Sequence, residues 1–438
     1  MLRWILLLGL LLAAAASMAG NRSVAAADWV DPALLAGPGF RVAPRAEPRG
    51  LQLHFRIQTD WGELDAPSVE MLGVRVGEMA ALQALYSHEV TAALKTAGID
   101  QLNAPVSAAK ALASDPVGSA KRLPQGILRY FTERVRRWGD RARKIGDRVE
   151  RSLSHSGTPY DADGPMTHTP EAEAEPWWDK PVDEVGRLLR SQAGHGRARR
   201  ELARQFGVDS WTSNPLLRAR LDALAWAVAS ERLAWDYALK LAAPVVAEAV
   251  GHLQRAHSLS GEPEPTELRR ILEQRLEHWT ADDDLRYALA WRGGFPPMLL
   301  AELLDQLDAL APTAGAEALL EVALMADNEV EARFVLNSLR MLQSRPGGRF
   351  LPIASLIGYV DIQGEFWLPL PVDQLTWSAT IRHWFEHAQI TRHARRNVLV
   401  GGAISPAAQR ALTRRGWSLF EFHRYPGEPP YRRGDLPR

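Results

Sequence analysis

The stretch VLVGGAISPAAQRALTRRGWSLF, residues 398–420, decides the fold class of this chain. Val398-Leu399-Val400 has the length and apolarity of a buried strand, and Gly401-Gly402 breaks it. Ser405 is then placed to cap a helix, Pro406 suits its first turn, Ala407 to Arg415 continue it and Gly416 closes it. Trp417, Leu419 and Phe420 open another strand. Strand, helix and strand in this order make a small βαβ-like unit whose two strands can lie parallel in one sheet. Just upstream, Leu356 to Val360 and Glu365 to Leu370 read as strands around the turn Gln363-Gly364. Residues 346–438 therefore form a C-terminal α/β subdomain.

Before this point the apolar spacing is helical, and residues 177–345 read as a helical domain. Arg197 to Phe206 is closed by Gly207, and Asn214 caps the next helix with Pro215 in its first turn. Leu217, Leu221, Leu224, Ala225 and Val228 then form its inner stripe. Further helices are expected over Ala238 to His257, Thr266 to Trp279, Met298 to Leu310, Ala314 to Met325 and Asn328 to Ser344. Ala242 to Val250 is apolar enough for a central buried helix and too short to span a bilayer. Residues 154–176, rich in Pro, Gly, Ser and acids, read as a flexible linker.

The first module, residues 28–153, ends in the most patterned segment of the chain. Phe131, Val135, Trp138, Ala142, Ile145 and Val149 alternate at four and three residues, a seam with a 3.5-residue repeat, and the outer face is crowded with arginines. This basic amphipathic helix over residues 125–153 is either a solvated helix packed by its seam or an arm for an anionic membrane surface. Near the start, Leu51, Leu53, Phe55 and Ile57 alternate with polar residues, Asp60-Trp61-Gly62 turns the chain and Glu63 to Ala66 returns, giving a small β-hairpin. A helix from Val69 to Tyr86 and another from Val90 to Ala97 follow, the second stopped by Gly98. The fold class expected is α+β, predominantly α-helical, with a β-hairpin near the N-terminus and a βαβ-like unit at the C-terminus.

Residues 1–27 set the expected location. One arginine precedes an apolar run from Trp4 to Ala16 and then small residues, the pattern of a secretory signal peptide, with Ser17-Met18-Ala19 and Ala25-Ala26-Ala27 as alternative cleavage motifs. An uncleaved N-terminal anchor is the other reading. A periplasmic or secreted protein follows, either free or held at the inner membrane. The chain has no cysteine, so its stability rests on packing, and thiolate metal sites, a cysteine nucleophile and a lipidated cysteine are excluded. Hydrophobic residues make up 46% and charged residues 24% at a formal net charge of zero, which argues for a globular body and against nucleic acid as a partner.

Several stretches resemble a group of exported bacterial proteins of uncharacterised function. They are residues 74–82 (Val74-Arg75-Val76-Gly77-Glu78-Met79-Ala80-Ala81-Leu82), the region 110–126 with Asp115-Pro116-Val117, residues 198–203 leading into Phe206-Gly207-Val208-Asp209-Ser210-Trp211-Thr212-Ser213-Asn214-Pro215, and Ile404 to Ala408 with Gly416-Trp417. The Gly-Val-Asp-x-x-x-x-Asn-Pro element is the most specific. The resemblance implies an exported address and a mixed fold, and it carries no catalytic residues.

One motif suggests chemistry. His383-Trp384-Phe385-Glu386-His387 fits H-x-x-E-H, in which histidines four apart on a helix hold zinc and the glutamate activates its water. A third ligand would come from Glu421, Glu428, His393 or His423. Chance explains the pattern better: two such histidines on an Arg-rich helix are usually surface or interface residues. Gly401-Gly402 before a helix suggests either an anion cradle or a tight turn. Asp282-Asp283-Asp284 lacks the spacing of a calcium loop, and the many tryptophans are expected in the core. Serine-hydrolase elbows, phosphate loops and dinucleotide fingerprints are missing from the sequence. No cofactor is expected. The function expected is that of an exported envelope protein with a binding or structural role and an unknown envelope partner; the alternative is a metal-dependent hydrolase using His383, Glu386 and His387.

Overall fold

A computed structural model describes residues 23–98, 195–242, 265–292, 295–326, 328–353 and 356–432. Residues 1–22 of the leader, the region 110–126, the basic segment 125–153, the linker 154–176 and most of Ala242 to Val250 lie outside these residues.

Alternation over residues 52–59 does produce a strand. In β5 (Gln52–Thr59) Leu53, Phe55 and Ile57 are buried while Arg56 and Gln58 face out. It turns at Asp60-Trp61-Gly62 and pairs antiparallel with β6 (Gly62–Ala66), from Thr59 opposite Gly62 to Phe55 opposite Ala66. The hairpin is part of something larger, a six-stranded antiparallel sheet with β1 (Val24–Ala25), β2 (Ala36–Gly37), β3 (Phe40–Val42) and β4 (Arg45–Arg49) on the other side of β5. These four strands are short, and one carries Pro48 between charged residues, so neither length nor alternation announces them in the sequence.

Ser68 caps α1 (Val69–Gly77), accepting from the Met71 N–H at 3.0 Å. The expected single helix to Tyr86 is broken at Gly77-Glu78 into α1 and α2 (Met79–Leu85); α3 (His88–Thr96) ends before Gly98, whose φ of 70° suits glycine alone. Helix α4 (residues 195–205), α5 (Pro215–Ala229) and α6 (Trp235–Ala242) pack against this sheet and its helices, sharing one apolar core with them.

The second core lies around a five-stranded mixed sheet of order β13-β11-β9-β8-β7. Its strands are β7 (Arg349–Ile353), β8 (Leu356–Val360), β9 (Phe366–Leu370), β11 (Arg396–Val400) and β13 (Trp417–Phe420), and the pair β10 (Gln374–Leu375) and β12 (Ala403–Ile404) sits beside it. Strands β9, β11 and β13 run parallel; β7 and β8 add antiparallel. Strand β7, not foreseen, contains Pro352, which a sheet tolerates at its edge. Five helices cover this sheet region: α7 (Pro265–Leu276), α8 (Asp283–Tyr287), α9 (Pro297–Leu310), α10 (Ala316–Leu324) and α11 (Glu329–Arg340). Between strands lie α12 (Ala379–Phe385), α13 (Ala388–Thr391) and α14 (Pro406–Thr413).

The architecture is mixed α+β. Buried residues between 198 and 238, Trp211 excepted, share the first core with the N-terminal sheet, whereas those between 268 and 342 share the second. No helix among the described residues is long and apolar enough to cross a membrane.

Candidate functional site

The segment Gly207 to Pro215 joins α4 to α5, and its polar residues have separate tasks. Gly207 ends α4 with φ 67°. Asp209 Oδ1 accepts from the Trp211 N–H at 2.8 Å and turns the chain. Asn214 Oδ1 accepts from the N–H groups of Leu216 and Leu217 at 3.1 and 3.3 Å, the cap expected from the sequence. The amide nitrogen of Asn214 is then free to donate to Glu78 Oε2 at 2.9 Å.

Glu78, at the break between α1 and α2, is 2% exposed. Besides Asn214, its carboxylate accepts from Thr212 Oγ1 and from Arg75 Nη1, the latter at 3.0 Å. The other arm of Arg75 donates to Ser213 Oγ, whose hydroxyl donates to Glu329 at the start of α11. One turn along, Arg333 Nε donates to Glu329 at 2.8 Å and its Nη1 reaches Glu70 of α1 at 3.2 Å. Asn337, a turn further, donates to the same Glu70 at 2.8 Å. Arg340 donates to Asn337 Oδ1 at 2.9 Å and pairs with Glu302 of α9. A continuous polar seam thus ties α1, the 207–215 segment, α11 and α9 together between the two cores.

Burial works against the charge of Arg333, but Glu329 and Glu70 outweigh it and hold the guanidinium pKa above its ordinary value. Burial likewise raises Glu329, while Arg333 and Arg75 more than reverse this and leave it lowered. Asp209 has no such cation to itself. Burial, with Glu329 and Glu78 nearby, pushes it up to about 6 against the opposing bond from Trp211.

A second buried carboxylate, Asp373, follows β9 at its carboxyl end. Its oxygens accept from the N–H of Leu53 in β5 at 2.8 Å, the N–H of Val69 at the start of α1 at 3.2 Å and the Tyr431 hydroxyl at 2.7 Å. It therefore fills the anion-attracting N-terminus of α1 with the chain's own carboxylate. Burial drives Asp373 up to about 7 despite these donors. Burial also raises Tyr431 and Tyr425 well above the ordinary tyrosine value. The strap that carries them crosses to the N-terminal end: Tyr431 bridges Val30, and the Arg432 N–H donates to the Trp29 carbonyl at 2.8 Å.

The H-x-x-E-H residues take other roles. Helix α12 stops at Phe385, Glu386 ends it and His387 is extended (φ −61°, ψ 135°), so the two histidines do not lie on successive turns of one helix. His387 Nδ1 caps α13, accepting from the Gln389 N–H at 3.3 Å, and Glu386 pairs with Arg415 at 2.7 Å. Glu421 accepts from the Ile404 N–H at 3.2 Å, His423 meets the Met341 carbonyl at 3.3 Å and His393 stacks on Phe366 at 5.3 Å. Among the described residues no group of three or more metal-ligating side chains is gathered.

Gly401-Gly402 makes a tight backbone passage. A Cβ on Gly402 would stand 2.0 Å from the Asp373 carbonyl oxygen, and without one the Gly402 and Ala403 N–H groups donate to Val372 and Asp373 at 2.8 and 3.0 Å. Asp282 caps α8 through the Leu285 N–H at 3.0 Å, and Asp283 pairs with Arg286. Trp211, Trp367, Trp384 and Trp417 are core residues.

The seam residues Glu70, Glu302, Glu329, Arg333, Asn337 and Arg340, and the separate carboxylate Asp373, have no role in the sequence reading. A charged residue inside an apolar helical stripe is the available signal, as for Arg75 and Glu78 between Leu72, Val76 and Met79. Asp373 gives none, since its partners come from residues 53, 69 and 431. No family model, curated protein or solved structure matched this chain.

Proposed function

We propose that this protein is an exported component of the bacterial cell envelope that acts by binding or as a structural part rather than by catalysis. The single observation that carries the non-catalytic reading is the seam itself. Its carboxylates and guanidinium groups are hydrogen-bonded to one another and to Thr212, Ser213, Asn214 and Asn337 in a buried junction, where they hold the fold together. Export rests on the leader, with its apolar run from Trp4 to Ala16 followed by small residues, and on the resemblance carried by residues 74–82 and 207–215. We take helices to predominate in the whole chain, with the 398–420 unit organising the C-terminal part; the parallel pairing of β11 with β13 around α14 supports this. The metal-dependent hydrolase has less in its favour, because its histidines are split by the end of α12. Residues 125–153 read first as a solvated helix packed by its seam, and contact with an anionic membrane surface through its arginines is the other reading.

Fractionation of cells producing the full chain tests the address. The expected result is recovery in the periplasmic or membrane fraction and sensitivity to protease added to spheroplasts. Recovery in the soluble cytosol, protected from protease, rejects export.

A further inference from the structure

We propose that the leader is cut after Ala19, so that the mature chain begins at Gly20, and that Ala25-Ala26-Ala27 is never processed. The inference rests on the export reading above and adds the position of the cut. Both sites present the small-x-small pattern that a signal peptidase accepts, so sequence leaves them equal. The folded body separates them. Val24 and Ala25 form β1 and pair antiparallel with Ala46 and Arg45 of β4. Ala26 is 0% exposed within the first core; its N–H donates to the Pro44 carbonyl at 3.0 Å, and its carbonyl accepts from Trp29 at 3.0 Å. Arg45 Nε donates to Ser23 Oγ at 2.6 Å, and Arg432 Nη1 donates to the Ala27 carbonyl at 2.7 Å.

A cut after Ala27 removes every one of these partners. It strips the edge strand from the six-stranded sheet, empties the place of Ala26 beside Trp29 and Val30, and puts a new ammonium group on Asp28 next to that gap. It also takes away the carbonyl that anchors the Arg432 side chain at the end of the strap that brings Tyr431 to Asp373. A cut after Ala19 leaves all of these contacts in place. The reaction is hydrolysis: water adds across the Ala19–Gly20 peptide bond, leaving a carboxylate on Ala19 and an ammonium on Gly20. Export thereby leaves the N-terminal strand in place to join with the C-terminal strap.

Intact-mass measurement and N-terminal sequencing of the exported protein test this, with Ala19→Leu and Ala27→Leu variants of the full chain alongside. Ala27 is exposed, so the fold accommodates leucine there. The expected result is a wild-type mature chain starting at Gly20, accumulation of precursor in Ala19→Leu and normal processing in Ala27→Leu. An exported chain starting at Asp28, one retaining Met1 in the membrane fraction, or a block caused by Ala27→Leu overturns the proposed cut and leaves export standing. Full-length protein confined to the cytosol overturns the export reading itself.

Discussion

Glu78 receives donors from Arg75, Thr212 and Asn214 at a site almost closed to water, so its value lies in the charges that would be stranded without it. Glu78→Ala leaves the guanidinium of Arg75 buried with its carboxylate gone, and the expected loss of unfolding free energy is about 3–5 kcal/mol, read by urea denaturation. Asp373 makes a different prediction, one of pH. Its folded pKa of about 7 exceeds the value near 3.9 that an unfolded aspartate has, so between these limits the native state holds more protons. Its contribution is therefore complete at low pH and is lost as pH rises through about 7. Asp209, at about 6, acts with the same sign. His54 opposes both: burial, helped by Arg49, lowers it to about 4, so stability from that group grows as pH rises towards about 6.5. From pH 6.5 to 8 ionisation of Asp373 lowers stability, while unfolded His54, whose ordinary value is near 6.5, is still losing its proton and raises it, as do His195, His393 and His423, which burial also lowers. Asp373→Asn is therefore compared with the wild type at each pH, and the wild-type excess in urea-derived stability is expected to fall over that window with a slope of at most about 1.4 kcal/mol per pH unit, whatever the variant does to absolute stability. A difference between the two proteins that does not change with pH over the window refutes the assignment.

At the scale of elements, Asn214 does two things at once, capping α5 with its oxygen and holding Glu78 with its nitrogen. A cap alone is worth about 0.5–2 kcal/mol, so Asn214→Ala is expected to exceed that range, whereas Asn214→Asp, which keeps the cap and turns the donor into a repelling carboxylate, separates the two roles. Thermal melts of the pair, compared at one pH, give the division. The cap was readable beforehand because Asn-Pro before an apolar stripe is local information, and the same holds for Ser405-Pro406 and the Gly-terminated helices. The break at Gly77-Glu78 was not readable, since the apolar spacing runs on through it and the cause is a carboxylate held by residues 212 and 214. Strands β1 to β4 escaped for another reason: two to five residues carry too little alternation to stand out, and their order depends on pairing with β5. The H-x-x-E-H pattern shows the reverse error, in which a spacing assumes a continuous helix that ends at Phe385.

For the whole molecule, the question is whether two apolar cores behave as one body. Each has its own sheet and helices, which would permit independent unfolding. The seam opposes that. Glu70 belongs to the first core's helix α1, whereas Arg333 and Asn337 belong to α11 of the second, and Glu329 reaches back through Ser213 to Arg75. Separating the cores exposes the lone Glu70 and Arg333 groups only after each has lost a partner in a low-dielectric setting, so partial opening is dearer than the lost contacts alone. One cooperative transition is therefore expected for the wild type, with tryptophan fluorescence and far-UV circular dichroism changing together. The probes are informative because Trp367, Trp384 and Trp417 report on the second core and Trp29 on the first. Arg333→Met removes the cation that both Glu70 and Glu329 share, and two transitions that differ between probes are expected in its place. The charge-neutral double variant Glu70→Gln, Arg333→Met restores part of the coupling if repulsion among stranded carboxylates is the cause, because the neutral amide at position 70 no longer repels Glu329, which keeps Ser213 and the nearby Arg75. Coincident transitions in Arg333→Met at an unchanged midpoint would mean that the cores are joined by apolar contact, and that the ionic seam follows from their packing instead of enforcing it.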